Sequence, residues 1–168
     1  MAVAAVAQLR DALNSQLPGQ HSNPDHPTLV GARGRAQTTL HAGSVTPQEA
    51  WSLVSDRAGV LVDVRTAEER KFVGHVPGSL HVPWKVGTAM QTNPRFLREL
   101  ESRVTKEAVV LLLCRSGQRS AAAAAAATKA GFKHVYNVSE GFEGELDERQ
   151  QRGRRSGWRF HELPWAQD

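Results

Sequence analysis

The segment Ala108–Ser120, with the sequence AVVLLLCRSGQRS, decides the fold. Its first six residues are apolar, which is typical of a strand buried on both faces of a parallel sheet. Cys114 follows directly, and the residues after it contain a glycine and lead into a run of seven alanines that favours a helix from about Ser120 to Ala130. We predict a strand, a tight turn and a helix, with Cys114 at the carboxyl end of the strand.

Further strand patterns lie on either side of this segment. Gly59–Val64 is a second apolar run, and His134–Val138 is a third predicted strand. Short strands that alternate with helices predict an α/β fold, in which helices cover both faces of a parallel sheet. Ligands of such sheets bind beyond the carboxyl ends of the strands, which is where Cys114 lies.

The helices are predicted from their ends and their apolar positions. Thr46 is followed three residues later by Glu49, a pattern that caps a helix amino terminus, and Thr66 is predicted to cap a short helix that carries Glu68, Glu69 and Arg70. Pro94–Arg103 is predicted to be helical, and Ser139–Gly144 is predicted to turn into a polar helix. Between them, His75–Trp84 is predicted to form a turn followed by a short strand.

Residues 1–42 are predicted to be an extension outside the domain, which covers residues 43–168. Ala2–Leu17 has apolar residues at helical spacing, whereas Gln20–Gly43 is rich in His, Pro, Gly, Asn and Arg and is predicted to be an irregular linker. The longest apolar runs have seven residues, against roughly 20 for a membrane-spanning helix. With no recognisable secretory signal, the expected location is the cytoplasm.

Charge is concentrated in one segment of the chain. Residues 149–159 contain five arginines and no acid, so the formal net charge of +4 is mainly theirs. This distribution argues against a broad nucleic-acid surface. We expect a solvated loop here, or alternatively a basic rim that attracts an acidic partner or an anionic substrate to the site.

Cys114 is the only cysteine, which excludes an internal disulfide and a multi-cysteine zinc site. The seven histidines are scattered, and we expect no metal. A lone cysteine is commonly a buried core residue. Here, however, the helix that follows and the flanking Arg115 and Arg119 favour the thiolate and are expected to lower its pKa below the usual value of about 8.5. The turn also brings backbone N–H groups together, so the pattern predicts a nucleophile beside an anion-binding loop.

The motif CRSGQRS after an apolar strand resembles the active-site loop of rhodanese-type sulfurtransferases. Asp63-Val64-Arg65 with Glu68 resembles the second-strand motif of that family, and His75–Leu80 (HVPGSL) resembles its characteristic turn. The likeness extends over about Ser44–Gly144 and places several motifs in the family's order. The resemblance implies a single rhodanese-like domain with a five-stranded parallel sheet.

The resemblance also implies a reaction and a set of site residues. Cys114 would take a sulfane sulfur from a small anionic donor such as thiosulfate, and a thiol, a protein acceptor or cyanide would remove it. No metal or organic cofactor is implied, no nucleic acid or membrane partner is expected, and the chain would be a monomer or a homodimer. The implied substrate-binding residues are Arg115, Ser116, Gly117, Gln118, Arg119 and Ser120.

Other residues are expected to support this loop. Asp63 is expected to pair or cap behind it, and Arg65 to be half-exposed, where it pairs with Glu68 or guides an anion. Trp84 is expected either to line the pocket or to belong to the core. Arg119 is expected to brace the loop and to add positive potential.

Loop length distinguishes the alternatives. Four residues, 115–118, separate the cysteine from the arginine, and the related phosphatases of the cell-division-cycle type have one more. The shorter loop favours sulfur transfer over phosphatase activity. Arsenate reduction is less favoured because the chain has no second cysteine to resolve an intermediate. A non-enzymatic sulfur-relay or binding module with the same loop is the rival interpretation, and the sequence does not separate the two.

Overall fold

The computed structural model of the protein describes residues 42–167. The strands of this part are β1 (Gly43–Val45), β2 (Val60–Asp63), β3 (Leu80–His81), β4 (Lys85–Val86), β5 (Gln91–Thr92), β6 (Val109–Leu113) and β7 (His134–Val138). Its helices are α1 (Pro47–Ser55), α2 (Ala67–Val73), α3 (Phe96–Glu101) and α4 (Gln118–Lys129). The predicted helix over Ala2–Leu17 and most of the predicted linker lie outside the described residues. No helix within residues 42–167 has the length and apolar character that crossing a membrane requires.

Five strands form one parallel sheet in the order β1-β7-β6-β2-β3. β6 occupies its centre, and all five residues of that strand are buried, as their uniformly apolar character predicts. In register, Leu112 lies beside Val62 of β2 on one side and beside Asn137 of β7 on the other. The remaining strands, β4 and β5, pair with each other as a small antiparallel hairpin.

Helices cover both faces of the sheet because successive strand residues point to opposite sides. On one face, Leu112 packs in a buried cluster with Leu100 of α3 and the alanine-rich side of α4. The small side chains let α4 approach the sheet closely; they are Ala123, Ala124 and Ala127. On the opposite face, Leu111 and Leu53 of α1 both border the backbone at Gly59. The predicted α/β architecture is confirmed.

Two helix starts follow the predicted capping pattern. The Thr46 side chain accepts the backbone N–H of Glu49, and the Glu49 carboxylate reaches back to the Thr46 N–H. Thr66 and Glu69 make the same reciprocal pair at the start of α2. This reciprocal arrangement, called a capping box, satisfies two N–H groups that have no partner inside the helix.

Several elements differ from the prediction. Gly43–Val45, at the end of the predicted linker, is the edge strand β1 and pairs with β7. The helix predicted over Pro94–Arg103 is the shorter α3, and the β4–β5 hairpin before it was not predicted. The polar helix predicted after Ser139 is wrong: residues 140–143 form a turn.

The functional edge of the sheet follows from its parallel topology. Because β2, β6 and β7 run in the same direction, the segments that follow them emerge at one edge. Residues 64–66, 114–117 and 139–144 therefore meet there. Backbone hydrogen bonds join the second of these segments to the third, from Phe142 N to Cys114 O and from Glu143 N to Arg115 O.

Candidate active site

Cys114 lies at the carboxyl end of β6, with 1% of its surface exposed. Its Sγ accepts two hydrogen bonds, one from the backbone N–H of Gly117 and one from the hydroxyl of Ser120, both at 3.1 Å. The amino-terminal end of α4, which begins at Gln118, adds the positive end of a helix dipole. All three features stabilise negative charge on the sulfur. Such an arrangement can stabilise a thiolate.

Two glycines make the close approach of the loop and the 139–144 turn possible. Gly117 has a φ of +88°, and a Cβ on it would lie 1.8 Å from the carbonyl oxygen of Ser139. Gly141 has a φ of +66°, and a Cβ there would lie 2.6 Å from the carbonyl oxygen of Cys114. A side chain at either position would force the two segments apart.

The turn also fixes the direction of the loop's peptide groups. The carbonyl of Cys114 accepts from Phe142 N at 2.8 Å, and that of Arg115 accepts from Glu143 N at 2.9 Å. In a trans peptide the N–H of the next residue points the opposite way, so the amides of Arg115 and Ser116 point away from the turn. Neither amide donates to a protein group in the described part of the chain. Both are free to bind an anion.

The C-terminal segment braces this turn from behind. The backbone N–H of Trp158 donates to the carbonyl of Gly141 at 2.8 Å, and that of Arg159 donates to Phe142 at 3.2 Å. Trp158 is fully buried and packs edge-to-face on Trp51 of α1, with 6.0 Å between ring centroids. The segment after β7 therefore helps to hold the turn that supports the loop after Cys114.

A cavity of about 410 Å³ opens above Cys114. Its lining residues are Thr66, Glu69, Met90, Cys114, Arg115, Ser116, Gln118 and Arg119. Four of the predicted substrate-binding residues thus line the cavity, while Gly117 and Ser120 contact the sulfur from within the loop. Arg115 is exposed, and its guanidinium makes no ion pair with any residue that the structure describes.

Arg119 is paired, in contrast to the expectation that it adds positive potential. Its guanidinium binds the Glu69 carboxylate through two hydrogen bonds, of 2.7 and 2.5 Å. Burial alone would raise the pKa of Glu69, but the hydrogen bonds from Arg119 and from the Thr66 amide outweigh it and hold the pKa below its ordinary value. Burial likewise opposes the charge of Arg119, and Glu69 outweighs it, so that the pKa of the guanidinium is raised. Both side chains are charged, but their charges cancel. The ion pair connects the start of α4 to α2.

Asp63 and Arg65 lie behind the loop and outside the cavity. The expectation that Arg65 is half-exposed is wrong: it is completely buried, and its Nη2 binds Asp63 Oδ2 at 2.7 Å and the Gly74 carbonyl at 2.7 Å. The guanidinium also stacks on the ring of Phe142, 4.1 Å from the centroid. Asp63 accepts from Arg70 as well, at 3.0 Å. This buried network links β2, α2 and the turn.

Trp84 does not line the cavity. It packs against the core cluster and stacks edge-to-face on Phe96 of α3, with 5.0 Å between ring centroids. Of the two expectations for this residue, the structure supports the core position.

Four residues at the site were not predicted as functional. Thr66, Glu69 and Met90 line the cavity, and Oδ1 of Asn137 lies 2.6 Å from the hydroxyl oxygen of Ser120. Glu69 carries a sequence signal in the capping box that places it at the start of α2. Met90 and Asn137 carry none, since Met90 lies in an unpredicted hairpin and Asn137 looks like an ordinary residue of the neighbouring strand β7.

The arginine-rich segment 149–159 is divided between structure and surface. Arg152 donates to the Gly144 carbonyl, and Arg159 lies over the ring of Trp165. The other three arginines are exposed and line a second cavity together with Asp147 and Glu148; they are Arg149, Arg154 and Arg155. A fully solvated loop is therefore too simple a description.

Comparison with known proteins gives concordant matches. Residues 46–147 match the family model of the rhodanese-like domain. An uncharacterized protein of Rickettsia rickettsii is 36% identical over 118 residues, which cover 67% of this chain and 87% of the relative. The thiosulfate sulfurtransferase/rhodanese-like domain-containing protein 3 of Mus musculus is 33% identical over 101 residues, covering 58% of this chain and 64% of that protein. The crystal structure of a protein from M. tuberculosis, 43% identical, superimposes with a TM-score of 0.70 and covers 76% of this chain and 99% of its own.

The buried Asp63 network yields a stability prediction. Asp63→Ala leaves Arg65 buried without its carboxylate partner, so we expect a loss of about 3 kcal/mol in the free energy of unfolding, measured by urea denaturation. The matched control is Glu107→Ala, which removes one side of the exposed Lys133–Glu107 pair and is expected to cost less than about 0.5 kcal/mol. Equal effects of the two substitutions would show that the buried network does not hold this edge of the sheet together.

Proposed function

Because the chain belongs to the rhodanese-like domain family, we propose that it is a sulfurtransferase that carries sulfur as a persulfide on Cys114. The donor is a small anionic sulfane-sulfur compound such as thiosulfate, and the acceptor is a thiophile, either cyanide or a thiol. The observation that carries this proposal is the arrangement of the Cys114 sulfur, which accepts two hydrogen bonds beside two unpaired backbone amides.

The proposed reaction has two displacements at sulfur. In the first, the Cys114 thiolate attacks the outer sulfur of thiosulfate, a new S–S bond forms, and the old S–S bond breaks with its electron pair leaving on sulfite. In the second, cyanide attacks the outer sulfur of the persulfide, thiocyanate leaves, and the Cys114 thiolate is restored. No proton, metal or oxidant is needed to balance either step.

The loop supplies what both steps require. In each step the reacting sulfur carries negative charge throughout. Hydrogen-bond donors that are already in place therefore stabilise the transition state without rearranging. The amides of Arg115 and Ser116 are positioned to bind the terminal anionic sulfur of the persulfide or the sulfonate of the donor. Arg115 contributes the positive charge that draws the donor to the cavity.

The size of the cavity supports a second reactant larger than cyanide. Its volume of about 410 Å³ leaves space beyond a bound thiosulfate ion. A small thiol or a cysteine side chain of an acceptor protein fits the remaining space. We therefore propose a thiol as the biological acceptor, with cyanide as its substitute in an assay.

Two measurements on the same protein test the proposed function. Thiocyanate formation from thiosulfate and cyanide reports turnover, and the intact mass after treatment with thiosulfate alone reports the persulfide. We expect turnover and a mass increase of one sulfur atom, both abolished in Cys114→Ser because serine oxygen forms no persulfide. Since two added oxygens have nearly the same mass as one sulfur, the adduct must also be removed by cyanide.

The outcomes separate the enzyme from the sulfur-relay module with the same loop. An adduct that cyanide removes, together with negligible turnover, would replace the enzyme with a relay that waits for a specific acceptor. No adduct and no turnover would refute sulfur transfer from this donor, and a phosphate ester or arsenate would be tested next.

A second prediction concerns the unpaired cation of the cavity. Arg115→Ala removes the charge that attracts the donor, so we expect the KM for thiosulfate to rise about tenfold with a smaller change in kcat. The control is Arg98→Ala, which removes an exposed arginine from α3 and is expected to leave both constants unchanged. The measurement is the rate of thiocyanate formation over a thiosulfate series. An unchanged KM in Arg115→Ala would exclude this side chain from donor binding.

A further inference from the structure

The hydroxyl of Ser120 has more acceptors in reach than it has protons. Its Oγ lies 3.1 Å from Cys114 Sγ, 3.2 Å from the Gly117 carbonyl oxygen and 2.6 Å from Oδ1 of Asn137. A serine hydroxyl donates a single proton and accepts through two lone pairs. Ser120 is fully buried, and Asn137 is 6% exposed, so water does not readily supply the missing donors. The neighbours of Ser120 therefore decide which of them receives its proton.

Asn137 is the neighbour that can change its role. A half-turn of its carboxamide places the Nδ2 amino group where Oδ1 stands, with almost no change in shape. With Oδ1 toward Ser120, the amide takes the serine proton through the shortest of the three contacts. With Nδ2 toward Ser120, the amide donates to Oγ, and the serine proton is free for the sulfur.

The sheet holds Asn137 at this position. It lies in β7 beside Leu112 of β6, two residues before Cys114, and two residues along β7 from Val135. Val135 belongs to the buried cluster beneath α4, so Asn137 faces the same side of the sheet. The contact between Asn137 and Ser120 thus joins a central strand to the first turn of α4.

We propose that Asn137 is a positioning residue that donates from Nδ2 to Ser120 Oγ and so directs the Ser120 hydroxyl proton to the Cys114 thiolate. Asn137 acts through Ser120 and does not touch the sulfur. Its importance for sulfur transfer rests on the proposed function, whereas its effect on the nucleophilicity of Cys114 does not. The ionisable side chains that line the cavity beside Cys114 are Arg115, Arg119 and Glu69.

Alkylation of the single cysteine by iodoacetamide tests the proposal without any sulfur donor. The Cys114 thiolate attacks the methylene carbon, a C–S bond forms and iodide leaves, so the rate at each pH follows the thiolate. We expect Asn137→Ala to slow alkylation at neutral pH about tenfold, since hydrogen bonds to charged groups contribute that much or more. The midpoint of the pH–rate curve should move to higher pH.

A double-mutant cycle then tests whether Asn137 acts through Ser120. Ser120→Ala alone should slow alkylation at least as much as Asn137→Ala, and the double variant should be no slower than Ser120→Ala. The matched control is Asn93→Ala, which truncates a similarly buried asparagine that binds the Pro83 carbonyl and the Arg95 amide. It should leave the midpoint of the curve in place.

A second substitution covers the case in which Asn137→Ala does not fold. Asn137→Asp keeps the shape but offers only acceptors, so it should take the Ser120 proton and raise the midpoint. Its charge acts with or without Ser120, whereas its hydrogen bond requires Ser120. The part of the shift that disappears in the Ser120→Ala background therefore measures the hydrogen bond.

Either of two results would overturn the proposal: a pH–rate curve of the Asn137 variants that coincides with that of the unaltered protein, or effects of Asn137 and Ser120 that simply add. The expected alkylation behaviour together with no persulfide would retain the role of Asn137 and reject sulfur transfer. Persulfide formation together with an unchanged alkylation curve in the Asn137 variants would support sulfur transfer and reject the role of Asn137.

Discussion

The site depends on the contact between the backbone after Cys114 and the turn after β7. Hydrogen bonds from Phe142 and Glu143 hold two successive carbonyl groups of the loop, and Gly141 is the residue that lets the turn come so close. With the carbonyls held on one side, the N–H groups face the other side, toward a bound anion. The sulfur of Cys114 is only one part of this arrangement. The fixed peptide groups beside it are hydrogen-bond donors that can receive an anion bound at the sulfur.

The cavity carries less net positive charge than the two arginines in the sequence imply. Two arginines flank the cysteine, but Glu69 neutralises Arg119 and ties it to α2, which leaves Arg115 as the exposed cation of the cavity wall. A loop that was strongly positive throughout would bind any polyanion. One exposed cation beside fixed amides favours a small anion over a large polyanion.

Local sequence patterns predict the framework because they act over a few residues. The capping boxes at Thr46 and Thr66 and the apolar strand β6 appear where their patterns place them. The failures at the site involve contacts between segments that are not adjacent in the chain. Arg65 is buried because Asp63, Gly74 and Phe142 come together around it, which no spacing rule reveals.

The same reason explains the missed elements at the site. The turn at residues 140–143 replaces a predicted helix because it must lie against the loop, and the short edge strand β1 exists only through its pairing with β7. Asn137 looks like an ordinary strand residue, and its relation to Ser120 appears only when β7 and α4 are packed. The loop residues themselves were predictable because they are contiguous in the chain. Their partners were not, because they come from three other elements.

The central claim is that the loop amides receive the anionic sulfur of a persulfide, and a crystal structure of the protein after treatment with thiosulfate tests it most directly. The account predicts one additional atom bonded to Cys114 Sγ, within hydrogen-bonding distance of the backbone nitrogens of Arg115 and Ser116. A persulfide whose outer sulfur points away from both amides would contradict the account, as would an unmodified Cys114 under conditions in which the protein turns over thiosulfate.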